Sequence, residues 1–178
     1  MSTPERTHIV LHTTAFREPS DIELIKRWHT DPRPDPNNLN RFYWNRRWYE
    51  SESELPLEIR GRRGNGWNDV GYHYFIKKDG EIQKGRPEHV NGAHCADRGY
   101  NRISLGICFE GHHNFEEWTP EQWVGFKKLL RDIFRRFNIP TSNIIGHREA
   151  PATKDCPGTK IDMTQVRREI GQWRVGTI

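Results

Sequence analysis

The sequence predicts an α/β fold: a single domain over residues 1–178 with a mixed central β-sheet flanked by α-helices. Three observations predict it. The apolar run at residues 8–12 (HIVLH) and the longer one at 103–109 (ISLGICF) have the length and continuity of buried strands. Residues 70–77 alternate and lead through Asp79-Gly80, a hairpin-turn dipeptide, into residues 81–84. Beyond Thr119, apolar side chains recur at helical spacing: Trp123, Phe126, Leu130, Ile133 and Phe137.

Along the chain, residues 8–12 form the opening strand. Ser20-Asp21-Ile22-Glu23 reads as a capping box, after which Ile22, Ile25, Trp28 and His29 share one helical face. Prolines 32, 34 and 36 forbid continuation of that helix. Residues 31–66 then read as an irregular insertion, short and poor in apolar residues, with a dense cluster Arg41-Phe42-Tyr43-Trp44-Asn45-Arg46-Arg47-Trp48-Tyr49. Its aromatics are expected to pack back onto the domain; stacking on nucleobases, gripping glycan or touching an anionic envelope lipid are the alternatives. Thr119-Pro120-Glu121-Gln122 caps the clearest helix, with Pro at its first position, and Asn138 with Pro140 stops it. A short strand at 143–146 delivers His147, and Asp162-Met163-Thr164-Gln165 opens a final helix.

With 178 residues the chain is long enough to bury a real core. Only 33% of it is hydrophobic, but seven Trp, eight Phe and five Tyr carry large apolar area per residue. A mean hydropathy of -0.95 and 29% charged residues indicate a heavily solvated surface, and no apolar run reaches the length of a membrane span. The start lacks the basic-then-apolar pattern of a signal peptide, so synthesis in the cytosol is expected. Three cysteines argue against a disulfide framework. Cys108 reads as a small core hydrophobe, Cys95 in a glycine-flanked loop is harder to place, and only Cys156 has the company of a ligand. A net charge of +4 suits an anionic partner, whether wall polymer, membrane surface or nucleic acid.

The chemistry is concentrated near the end. His147 is followed, within ten residues, by Lys154-Asp155-Cys156-Pro157, which places an imidazole, an ammonium and a thiol on one irregular segment. Neutral His and thiolate Cys are natural ligands of Zn²⁺, and a neighbouring Lys favours the thiolate. His12, ending the first apolar run, is the best candidate for a third ligand. The spacing matches no zinc finger. Three protein ligands and an open position would describe a catalytic zinc instead.

Val10-Leu11-His12, Asp69-Val70-Gly71-Tyr72-His73-Tyr74, Gly92-Ala93-His94, Gly99-Tyr100-Asn101, Ser104-Leu105-Gly106-Ile107, Gly146-His147-Arg148 and Lys154-Asp155-Cys156-Pro157 occur in that order. Together they resemble the zinc-dependent N-acetylmuramoyl-L-alanine amidases (type 2 amidases) of the peptidoglycan-recognition-protein superfamily, and are most similar to the small bacteriophage amidase-lysozymes, or endolysins. The resemblance covers the chain outside residues 31–66. It implies Zn²⁺ held by His12, His147 and Cys156, with Tyr72 and Lys154 as catalytic residues stabilising the oxyanion. It also implies a groove lined by residues 92–101, with His94 and Asn101 binding substrate. His73 is expected on the face opposite Tyr72, packed in the core or behind the site, His112 and His113 at the surface, and His8, His29 and His89 without a role.

The implied function is hydrolysis, by zinc-activated water, of the amide between N-acetylmuramic acid and L-alanine in bacterial peptidoglycan. An endolysin of this kind is expected to be a monomer without a separate wall-binding domain. It would accumulate in the cytoplasm of the infected host cell and act on the cell wall after release. The alternatives are a non-catalytic peptidoglycan-binding module, a class in which the cysteine ligand is typically replaced, and a phage regulator that also binds host RNA polymerase.

Overall fold

In the computed structural model, which describes residues 5–150 and 154–177, the elements in chain order are β1 (His8–Thr13), α1 (Ile22–Thr30), β2 (Arg33–Asp35), β3 (Asn38–Trp44), β4 (Arg47–Tyr49), β5 (Tyr74–Ile76), β6 (Ile82–Lys84), α2 (Tyr100–Ile103), β7 (Ser104–Phe109), α3 (Pro120–Arg136), β8 (Ile144–Gly146) and α4 (Met163–Thr177). Contacts cluster into two units, Met1–Asp21 with Tyr72–Ile178, and Ile22–Gly71.

The first unit is built on a five-stranded mixed sheet in the order β6-β5-β7-β1-β8. Strand β1 runs parallel to β7 on one side and β8 on the other, and β5 runs parallel to β7, while β6 closes the edge as an antiparallel hairpin. A central parallel strand is covered on both faces, which is why Ile9, Val10 and Leu11 are all fully buried. Alternation then divides the side chains. Ile9, Leu11, Ile76, Leu105, Ile107 and Phe109 join Phe126, Leu130 and Ile133 of α3 and Val166 and Ile170 of α4 in the main core. Val10, His12, Gly106 and Cys108 take the opposite parity, and Val10 packs with Cys95 and Ala150. The expected mixed sheet with flanking helices is therefore observed.

Helix α3 forms as its sequence predicts. The Gln122 amide N–H donates to Thr119 Oγ1 at 3.0 Å and the Thr119 N–H donates to Gln122 Oε1 at 3.1 Å, a complete capping box with Pro120 in first position. Such a cap is worth about 1 kcal/mol. Asp162 Oδ1 accepts from the N–H groups of Thr164 and Gln165 and opens α4 in the same way. The box expected at Ser20 does not form: Ser20 Oγ is buried without a partner among the described residues, and its N–H donates to Glu110. The alternating stretch at 70–77 yields a strand only from Tyr74 to Ile76. No helix among the described residues is long and apolar enough to cross a membrane.

The unit Ile22–Gly71 corrects the expectation of an irregular insertion at 31–66. Strands β2, β3 and β4 form an antiparallel sheet there. The β3–β4 turn places Asn45 and Arg46 both at positive φ, 48° and 66°, the pair of left-handed residues that a tight hairpin turn requires. Pro34 is tolerated because β2 lies at the sheet edge. The Arg-aromatic cluster alternates across the pleat: Phe42 and Tyr49 pair inward and pack with Leu55 and Ile59, a small core within this unit itself. Tyr43 and Trp48 pair on the other face, with the Arg41 guanidinium 4.6 Å from the Trp48 ring.

Candidate metal centre

Parallel pairing brings the ligand candidates together. Leu11 of β1 is in register with Gly146, the last residue of β8, so the residues that follow them, His12 and His147, are neighbours. Their ring centroids are 4.6 Å apart. Both rings are buried. Cys156 closes the set, its Sγ lying 3.6 Å from His12 Nδ1. One ligand atom from each of His12, His147 and Cys156 lies within 4.8 Å of the others.

The donor set fits zinc. Tetrahedral bonds of about 2.0–2.1 Å to nitrogen and about 2.3 Å to sulfur place neighbouring N and S ligands about 3.5–3.6 Å apart. The His12–Cys156 separation has that length before any adjustment.

The segment carrying Cys156 is fastened by backbone carbonyls. The Arg148 guanidinium donates to the carbonyl oxygens of Gly158 and Ile161, and the Arg148 N–H donates to Cys156 O at 2.7 Å. From the other side, Lys160 N–H donates to His113 O and Thr159 N–H to Asn114 Oδ1. Gly158 touches His113 so closely that an added Cβ would lie 2.4 Å from its backbone. His113 is therefore fully buried beneath this segment, not at the surface as expected; His112 is half-buried. Glu149 closes the turn after β8, accepting from Gly146 N–H and from both terminal nitrogens of Arg167 on α4.

A buried hydrogen-bond chain sets the tautomer of His12. Ser104 Oγ donates to Tyr100 O at 2.6 Å, which leaves it to accept from His94 Nε2 at 3.4 Å. His94 Nδ1, now a bare acceptor, lies 3.0 Å from His12 Nε2. His12 must donate through Nε2, and its Nδ1 lone pair is left facing Cys156. Glycines make room for this arrangement: a Cβ at either Gly92 or Gly106 would sit 2.4 Å from His94 Cδ2. His73 supports the same strand, accepting from Gly106 N–H at Nδ1 and donating from Nε2 to Val90 O.

The other predicted residues divide. The Tyr72 ring lies 5.0 Å from that of His12, and its hydroxyl pairs with the Cys108 thiol. Burial holds the phenol well above its ordinary pKa, so it remains a proton donor. Lys154 is exposed, and its charge acts on His147 and Cys156. His94 is buried behind His12, and Asn101 Oδ1 accepts the N–H groups of His94 and Cys95, each at 2.8 Å, to hold their loop. The His73 ring lies 5.7 Å from that of His94 and the Tyr72 ring 6.4 Å from it. Sequence reasoning gave no role to Ser104 and expected His73 to pack in the core or behind the site, where it is buried; Gly106 inside a strand was the available signal of close approach.

Electrostatics corrects one further expectation. Burial pushes the Cys156 thiol up to about 11, outweighing the Lys154 charge that lowers it. Lys154 alone does not produce the thiolate; a cation at the three ligands would have to displace the proton. Burial likewise holds His147 below the usual histidine range, which keeps it neutral and able to ligate. Cys95 and Asp97 form a second group with His147 and approach it within 4.8 Å. Cys95 is buried and its thiol is also pushed up.

The model of the N-acetylmuramoyl-L-alanine amidase family matches residues 3–159. Peptidoglycan-recognition protein SC1a of Drosophila melanogaster is 38% identical over 97 residues, 54% of this chain and 51% of the relative. The endolysin of Escherichia phage T7 is 36% identical over 119 residues, 64% of this chain and 76% of the relative. This chain thus spans about half the length of the first curated relatives it matches. Among solved structures, the endolysin amidase LysCS from Clostridium intestinale superimposes with a TM-score of 0.64 at 25% identity, covering 95% of this chain and 86% of that one.

Proposed function

This chain belongs to the N-acetylmuramoyl-L-alanine amidase family, and we propose that it hydrolyses the amide between N-acetylmuramic acid and L-alanine of peptidoglycan as a zinc-dependent endolysin. The observation that carries the reading is the convergence of His12, His147 and Cys156, with an N–S separation that suits a tetrahedral metal. Zinc, when bound there, would serve as a Lewis acid and lower the pKa of a coordinated water to about 7.

The chain's own residues do the rest. His94 and Ser104 hold His12 in the ligating tautomer. Tyr72, protonated beside His12, donates a hydrogen bond to the oxygen that gains charge as the carbonyl becomes tetrahedral. Lys154 brings a positive charge to bear on His147 and Cys156 and would stabilise the same oxygen. Presence of Cys156 separates this reading from a purely binding role, since a recognition module has no need of an anionic metal ligand. Synthesis in the cytoplasm of an infected cell, with access to the wall after release, follows from the likeness to phage endolysins.

Elemental analysis should find one zinc per chain, lost in Cys156→Ser. Digestion of purified peptidoglycan should release new L-alanine amino termini and leave the glycan strands intact. Cleavage between sugars, or turnover undiminished in the zinc-free variant, would overturn the proposal.

A further inference from the structure

The unit Ile22–Gly71 contains a cleft of about 630 Å³, a volume in the range of small-ligand sites. It shares no residue with the metal centre. Two indoles line it, Trp44 and Trp67. Trp44 is anchored by packing against the Phe42, Tyr49, Leu55 and Ile59 core. Trp67 packs against His29, with ring centroids 4.7 Å apart, yet keeps 38% of its surface exposed. The amides of Asn45 and Asn68 also line the cleft. Four cations, Arg27 and Arg46 among them, face two carboxylates.

We propose that this cleft is a second binding site, which holds a peptidoglycan strand through residues other than those of the metal centre. The inference rests on the wall as substrate and deepens that reading. Each feature has a counterpart in that polymer. The C–H faces of pyranose rings pack on indoles, which are rigid and cost little entropy to present. Acetamido groups and hydroxyls match side-chain amides, which offer donors and an acceptor. The carboxylates of stem peptides recur at intervals along the strand, and a lining with two surplus cations suits such spaced charges. A nucleic acid presents a charge on every nucleotide, and its backbone would meet the two carboxylates in the lining of the cleft. The hairpin turn supports the same assignment: Asn45 and Arg46 are held in left-handed conformations, exposed, and line the cleft, where a polymer can reach them.

The test measures retention on purified sacculi using Cys156→Ser protein, so that cleavage does not release what is bound. Adding Arg46→Glu, or Trp67→Ala, should weaken retention about tenfold. Arg46 is exposed in a turn, so its variant keeps the fold even if Trp67→Ala does not. With Cys156 intact, both substitutions should leave hydrolysis of a soluble disaccharide-peptide unchanged. Unaltered retention would overturn the proposal, as would an equal loss of soluble hydrolysis. A cleft variant that loses binding to a single-stranded oligonucleotide but not to sacculi would overturn it in favour of a nucleic-acid site. Failure of the amidase reading registers elsewhere, as absence of new L-alanine amino termini from the unsubstituted protein, while the retention comparison still decides this inference.

Discussion

The His12 imidazole has two nitrogens, and the buried chain behind it decides which one meets Cys156. Because His94 Nδ1 can only accept, His12 donates from Nε2. Removing that acceptor should free the ring to flip or to protonate the wrong nitrogen. We expect His94→Ala to weaken zinc binding about 10–100-fold. His94→Asn, whose amide oxygen replaces Nδ1, should recover most of the loss in a competitive chelator titration. Equal affinities for the two variants would exclude the tautomer role. Lys154 makes the opposite prediction: Lys154→Ala should retain zinc but lower kcat about 100-fold, the usual cost of one oxyanion donor. His12, His147 and Cys156 were legible because their residue types carry metal chemistry and their motifs fall in order. His94 was legible as a participant but not in its direction. A histidine facing a groove and one lying behind a ligand read alike in sequence; the Ser104 and Tyr100 contacts that separate them are tertiary.

At the scale of elements, the metal centre depends on how the 155–161 segment is tied to the turn after β8. Arg148 supplies three of those ties, from its backbone to Cys156 and from its guanidinium to Gly158 and Ile161. Arg148→Met keeps the apolar stem but takes the guanidinium donor from the Ile161 carbonyl, a penalty of about 1–3 kcal/mol, while Gly158 O keeps the Ile161 N–H. The loss should appear first as faster amide exchange at Gly158 and Lys160, and with it a zinc affinity reduced about tenfold. Exchange unchanged at those two amides would show that the segment is held by His113 and Asn114 alone. Sequence pattern found α3, the β5–β6 hairpin and β8, where local signals and tertiary packing agree. It missed the β3–β4 hairpin, whose turn is Asn45-Arg46 with no glycine, and whose inward Phe42 and Tyr49 are interleaved with charges. It also overextended β5: backbone bonds run from Tyr72 and His73 to Arg86, Gly85 and Gly106, but the regular strand begins only at Tyr74.

Across the whole sheet unit, burial of basic groups links stability to pH. Arg6 is 2% exposed and spends all five guanidinium donors on the carbonyl oxygens of Glu88, Val90, Arg102 and Ser104, with no carboxylate among its acceptors. It stays charged and contributes no titration near neutrality. His73 differs. It shares the Val90 carbonyl with Arg6, accepts from Gly106 N–H, and burial pushes its pKa down to about 4 from 6.5. The folded state must keep it neutral, so below pH 6.5 the unfolded chain binds the extra proton. Stability is then fully present above the unfolded pKa and is lost progressively as pH falls from about 6.5 toward about 4. Between pH 7.5 and 5 this one group accounts for about 2 kcal/mol. His94, His113 and His147 are lowered in the same sense and steepen the slope. Glu88 and Glu149, held below the usual carboxylate value of 4.5, lose their contribution only at lower pH, outside this window. Unfolding free energies of metal-free protein, followed through amide exchange of β7, should therefore fall with acidification. His73→Gln, neutral throughout, should be less stable at pH 7.5 but lose about 2 kcal/mol less than the unsubstituted protein on going to pH 5. Parallel pH slopes for the two proteins would mean that His73 is already protonated in the fold, and the Gly106–His73–Val90 link would have to be redrawn.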